Sequence, residues 1–217
     1  MTDAAIDLSL GYDPDQRVAS LEQLEELYGA AVPRSLTKEI DHVNADYARF
    51  IEASPFVVLS SVGPEGTDCS PRGDPPGFVR VAEPRTLMLP DRRGNNRTDT
   101  LRNIVRDPRV SLLFLIPGVG ETLRVNGCAS IVIDPDLCAS FTMQGKPARS
   151  VLVVAVDRVY FQCQKALHRS KLWEPDSRVE RGTVPTAGQM LQSLDADGFD
   201  GAAYDAEYPE RLKQTMY

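Results

Sequence analysis

The chain has 217 residues, 42% of them hydrophobic and 25% charged, with a formal net charge of −7 at neutral pH. That length and apolar content suit one sizeable domain with appended segments and exclude a disordered chain, while an acidic balance with a pI near 4.9 argues against general nucleic-acid binding. No apolar run approaches the roughly 18 residues of a membrane span, and the opening MTDAAIDLSLGYDP lacks the apolar stretch of a secretory signal, so a cytoplasmic location is expected.

The first 36 residues read as a polar extension interrupted by Pro14 and Pro33. Within it SLEQLEELYG predicts a short helix, with leucines at 21, 24 and 27, Ser20 as N-cap and Gly29 as stop. TKEIDHVNADYARFIEAS predicts a second helix with Ile40, Val43, Tyr47, Phe50 and Ile51 on one face, capped by Thr37 and limited by Pro55. From Pro55 the pattern turns to strands: PFVVLSSV, a GPEG turn, and TDCSPRGD returning, where Pro71 argues for an edge or a bulge. TLMLP, VSLLFLI and TLRVNGCASIVID are further strands, and SVLVVAVDRVYFQC is the longest. Helices are predicted at TDTLRNIVRD, closed by Pro108, at PDLCASFTM, opened by Pro135 beside Asp134, and at QKALHRSKLW. The tail after Trp173 is rich in Asp, Gly and Pro and carries little signal. Strands outnumber helices and join through short turns without a βαβ rhythm, so the expected fold class is mainly β, an antiparallel barrel with peripheral helices.

Residues 86 to 104, TLMLPDRRGNNRTDTLRNI, carry the strongest chemical signal. A strand ended by Pro90 runs into Arg92, Arg93 and Arg97, with Gly94 expected in a conformation other residues resist and Thr98 or Asp99 capping the next helix. Asn95 and Asn96 tolerate turns and offer amide donors. Backbone N–H groups, amides and guanidinium groups close to a helix N-terminus make a site for a phosphate or carboxylate. The competing reading is a solvated loop whose arginines pair with Asp91, Asp99 and other acids. In TDCSPRGDPPG, Arg72 sits in a strand beside Gly73, whose missing side chain admits a flat ring or another backbone; an ordinary edge strand with an exposed arginine is the alternative. CQKALHRSKLW spaces Lys165, Arg169 and Trp173 for one helical face. That face would either cover an anionic aromatic ligand or be a surface stripe with Trp173 in the core.

Cys69, Cys128, Cys138 and Cys163 are widely spaced and His42 and His168 lie far apart, so neither a metal site nor a disulfide framework is expected. No triad, paired-carboxylate signature or G-x-S-x-G motif occurs, and GVGETL lacks the third glycine of a dinucleotide-binding turn.

Together these stretches resemble the pyridoxamine 5′-phosphate oxidase-like family of FMN-binding split barrels, over roughly residues 37 to 185, and most closely a bacterial branch carrying SPRGD and RRGNNR. The resemblance implies an antiparallel FMN-binding split β-barrel at 37–185, flanked by an extension at 1–36 and a tail at 186–217. It implies that Asn95, Asn96 and Arg97 hold the FMN phosphate, with Arg92 or Arg93 supplying charge where better-known oxidases have Ser-Arg-Lys. It sets Arg72 and Gly73 along the flavin ring, and Thr122 at a position usually held by a flavin-pairing Gln. It implies a two-fold homodimer with FMN between the subunits, and Lys165, Arg169 and Trp173 reaching across. The function implied is an FMN-dependent oxidoreductase acting on a small-molecule substrate, with no general acid or base assigned. Pyridoxamine phosphate itself is not supported, because the C-terminal Arg-x-His-Asp-Arg pattern is missing. A deazaflavin-dependent reductase, a non-catalytic flavin-binding protein and a haem-binding split barrel using His42 or His168 are the alternatives.

Overall fold

The computed structural model describes residues 13, 16–94, 96–195 and 198–217. The chain divides into two compact units, Met1–Lys38 and Glu39–Tyr217. In the first, α1 (Leu21–Tyr28) starts where the Ser20 hydroxyl accepts from the Gln23 N–H and stops at Gly29, whose φ of 70° suits a residue without Cβ. A single-turn helix, α2 (Pro33–Thr37), follows with proline in its first turn.

The second unit opens with α3 (Ala45–Ala53), shorter at its start than the helical periodicity from Thr37 predicts. Ile40 instead exchanges backbone hydrogen bonds of 3.1 and 2.8 Å with Val159, and the Val43 N–H donates to Pro84 O at 2.6 Å. Long-range backbone hydrogen bonds thus claim those residues. The Asn44 side chain then starts the helix by accepting from the Tyr47 N–H at 2.9 Å.

The strands are β1 (Phe56–Gly63), β2 (Gly66–Gly73), β3 (Arg80–Glu83), β4 (Thr86–Asp91), β5 (Arg109–Leu115), β6 (Thr122–Val132) and β7 (Ser150–Gln162). All pair antiparallel in one sheet, ordered β2-β1-β5-β6-β7-β4-β3. The fold is therefore mainly β and antiparallel with peripheral helices, as expected, and the sheet stays open between edge strands β2 and β3. Pro71 lies on edge strand β2, where a missing N–H costs no ladder bond. Inward side chains from five strands, among them Val57, Leu59, Leu87, Leu89, Leu112, Phe114, Leu123 and Leu152, are buried in one core with Ile51 of α3. Each such side chain contributes about 1.5–3 kcal/mol.

A bulge between Asn126 and Gly127 leaves Asp157 as an extra residue on β7. The inward side of β7 passes from Val154 and Val156 to Val159 across it, a change of parity. Gly127 is required there, since a Cβ would overlap the Ala155 carbonyl oxygen.

Between the strands lie α4 (Asp99–Arg106), α5 (Pro135–Ala139) and α6 (Lys165–Ser170). The tail forms two further helices, α7 (Ala187–Leu194) and α8 (Gly201–Thr215), which cross where Gly188 and Gly201 meet backbone to backbone. Asp205 ties the pair together by accepting from the Gly188 N–H at 2.9 Å and from the Thr186 hydroxyl, and these bonds hold its carboxyl below the usual carboxylate range. No described helix is long and apolar enough to cross a membrane.

Candidate functional site

Strand β4 carries Pro90 and Asp91 to the edge of the core, and the chain then turns toward α4. That turn, β2 with Asp74, and the starts of α4 and β7 enclose a cleft of about 840 Å³. Its described lining includes five arginines (72, 92, 93, 97 and 149) and four aspartates (68, 74, 91 and 99).

Helix α4 is seated by polar contacts with the first hairpin. The Thr100 hydroxyl donates to Asp68 at 2.5 Å, and the buried Asn103 amide donates to the Ser61 hydroxyl at 3.1 Å. Gly63 leaves the space that Asn103 fills. The start of α4 departs from expectation in two ways. Among the described residues of the turn, the left-handed ones are Asn96 (φ 59°) and Thr98 (φ 58°), not Gly94. Thr98 occupies the cap position, yet its hydroxyl donates to Arg97 O at 2.7 Å and no side chain among the described residues caps the helix. A β-branched residue in this region is strained, and the first N–H groups of α4 are left for another acceptor.

The arginines are held by the cleft's own acids. Arg72 donates to Asp91 at 2.5 Å, Arg92 to Asp74 at 2.9 Å and to Phe141 O at 2.7 Å, and Arg97 to Asp99 at 2.7 Å. The bond to Asp99 raises the Arg97 pKa. The loop reading, with arginines paired to aspartates, thus describes the geometry as well as the anion-site reading does. A guanidinium has five donors, however, and one carboxylate occupies few of them. The Arg72 Nε is buried and has no acceptor among the described residues. Gly73 also lines the cleft, but a Cβ there would meet the Pro55 carbonyl oxygen at 3.3 Å. Another backbone therefore comes close at 73, so a side chain there would be tightly placed.

Of the residues singled out by sequence, Arg72, Gly73, Arg92, Arg93, Asn96 and Arg97 meet in this cleft. Asn95 lies outside the described residues. Thr122, Lys165, Arg169 and Trp173 do not join them. Thr122 pairs with Gln162 at one end of β7, whereas the cleft lies at Ser150, the other end. At about 3.3 Å per residue, some 40 Å of strand separates the two. The expected stripe of Lys165, Arg169 and Trp173 is also not one helical face. α6 ends at Ser170 and Lys171 turns left-handed (φ 53°), which sends Trp173 elsewhere. Its indole N–H donates to Val119 O at 2.8 Å.

Sequence reasoning missed Asp74, Arg149 and Tyr217 as parts of the site. Arg149 reaches Asn96 Oδ1 at 3.2 Å. The Tyr217 hydroxyl donates to Asp74 at 2.7 Å, and that bond, then burial, pushes the phenol above its usual pKa. Asp74 was legible as the end of SPRGD, while Tyr217 gave no local signal at all.

Comparison with known families finds that the pyridoxamine 5′-phosphate oxidase family profile matches residues 43–163. A comparison with curated proteins found no match. Among solved structures, HupZ from Group A Streptococcus is 14% identical with a TM-score of 0.45, covering 54% of this chain and 91% of that one. General Stress Protein 26 from Bacillus anthracis str. Sterne is 19% identical with a TM-score of 0.41, covering 52% and 88%. An FMN-binding protein from Syntrophomonas wolfei subsp. wolfei is 13% identical with a TM-score of 0.42, covering 54% and 84%.

Proposed function

The chain belongs to the pyridoxamine 5′-phosphate oxidase family, whose profile spans more than half of it, and on that premise we propose that it is an FMN-dependent oxidoreductase working as a homodimer on a small substrate. The observation that carries this reading is the uncapped start of α4, opening into a cleft walled by arginines. An anion's oxygens would satisfy the N–H groups that Thr98 leaves free, in the field of the helix N-terminus. A monoester phosphate there is the role proposed for Asn96 and Arg97, with Arg92 and Arg93 adding charge and Asn95 completing the turn. The unpaired Nε–H of Arg72 would donate to a polar edge of the flavin ring. A flavin, when bound, supplies the hydride or electron chemistry. The chain's residues would bind and orient it and keep water from it.

Thr122, Lys165, Arg169 and Trp173 enter this reading only as residues of a second copy, since one chain holds them at the far end of β7. A cytoplasmic location is part of the same proposal. The deazaflavin alternative draws on a neighbouring pocket of about 280 Å³ lined by Arg92, Arg93, Lys146 and Arg149, which would suit a longer anionic tail.

The experiment is a visible absorption spectrum of the purified protein before and after adding FMN, with any released cofactor identified by mass. A bound-flavin spectrum and the mass of FMN are expected. A colourless protein that ignores FMN sinks the reading, and a deazaflavin mass replaces it with the alternative.

A further inference from the structure

We propose that Met216 and Tyr217 are a latch that closes the cleft over its ligand, with the Tyr217–Asp74 hydrogen bond as the catch. The flavin reading enters only through the identity of what lies beneath.

Helix α8 delivers both residues to the cleft lining. Tyr217 is then held from three walls at once. Its hydroxyl donates to Asp74, just past β2, at 2.7 Å. The Arg92 guanidinium, just past β4, stands 5.8 Å from its ring centroid. Lys146, on the loop before β7, donates to its backbone oxygen at 2.6 Å. Contacts from three separate elements onto one residue close an opening between those elements.

The volume decides between a roof and a plug. The cleft keeps about 840 Å³ with Met216 and Tyr217 in place, within the roughly 300–1,000 Å³ of ligand pockets. The two residues therefore cover the space without filling it. Releasing the catch strands no charge. The Asp74 side chain is only 1% exposed, but Arg92 Nε pairs with it at 2.9 Å, so opening the phenol bond leaves no buried charge alone. Helices α7 and α8 are joined by contacts of their own at Gly188, Gly201 and Asp205, so the carrier keeps its structure when the catch opens.

The test compares the wild-type chain with Tyr217→Phe, which removes only the catch, and with Lys146→Met, which removes the independent tether. Hydrogen exchange over residues 212–217 is read without flavin, and FMN association and release are followed by flavin fluorescence in a stopped-flow instrument. In both variants exchange should quicken. Association and release should rise together, by about tenfold for one lost charge-assisted hydrogen bond, with Kd nearly constant. A latch slows passage in both directions, whereas a simple wall contact slows release alone. Faster release with unchanged association, or unchanged exchange in both variants, overturns the proposal. A wild-type chain that takes up no FMN overturns the flavin reading by itself, and the exchange arm then decides the closure.

Discussion

Arg72 divides its donors between an ion pair and an unpartnered nitrogen. Its terminal nitrogen is committed to Asp91 at 2.5 Å, while its Nε, on the same plane, has no acceptor among the described residues. Lysine in its place would keep the charge beside Asp91 but lose the fork. Arg72→Lys is therefore expected to unfold at nearly the same urea concentration and to bind FMN about tenfold more weakly, the loss of one charge-assisted hydrogen bond. Equal affinity in a fluorescence titration would remove Arg72 from the proposed site. Asp107 makes a purely structural counterpart. Two side-chain nitrogens and the backbone N–H of Arg109 converge on its carboxylate, which they hold at about 2, below its ordinary 3.8. A depressed pKa stabilises the folded state above the unfolded value and loses that contribution as pH falls through the folded one. Acid titration of stability should thus show a component between about pH 4 and pH 2 that Asp107→Asn abolishes.

At the scale of elements, the bulge in β7 governs how the two halves of the long hairpin face the core. Alanine at 127 would place its Cβ into the Ala155 carbonyl, so Gly127→Ala is expected to destabilise by about 1–3 kcal/mol, read from a urea midpoint. An unchanged midpoint would mean that the ladder relaxes without cost. The same stretch explains what was legible. β1, β2, β4 to β7 and α1 announce themselves because alternation and capping are local, as at Ser20 and Gly29. The start of α3 did not, because Ile40 and Val43 fit a helical face and are taken by partners about forty residues or more away. In the site, RRGNNR was legible as a concentration of charge and Asp99 as an acid within its reach, but not the pairing of Arg92 with Asp74. The left-handed Thr98 also ran against its residue type. Tyr217 lies beyond a tail of unremarkable composition, and only the tertiary fold brings it to Asp74.

For the whole molecule, the separation of Thr122 and Trp173 from the cleft within one chain turns the oligomer into a prediction about the site. Light scattering should give a mass twice that of the chain, with one flavin per chain. Trp173→Phe should alter flavin fluorescence if the second copy brings that indole to the ring. A flavin-loaded monomer, or fluorescence unchanged in the variant, would leave Trp173 as the half-buried partner of Val119 alone. The cleft's four aspartates beside its five arginines bear on the molecule in solution as well. Each guanidinium with an aspartate partner carries its own counterion, so at a Debye length of about 8 Å in physiological salt the mouth of the cleft looks nearly neutral from outside. An incoming anion gains little from long-range attraction and displaces few mobile ions. The grip of an anion bound there would come from donors already aimed, and a rise in ionic strength, which strips ligands from open basic patches, would have little to act on.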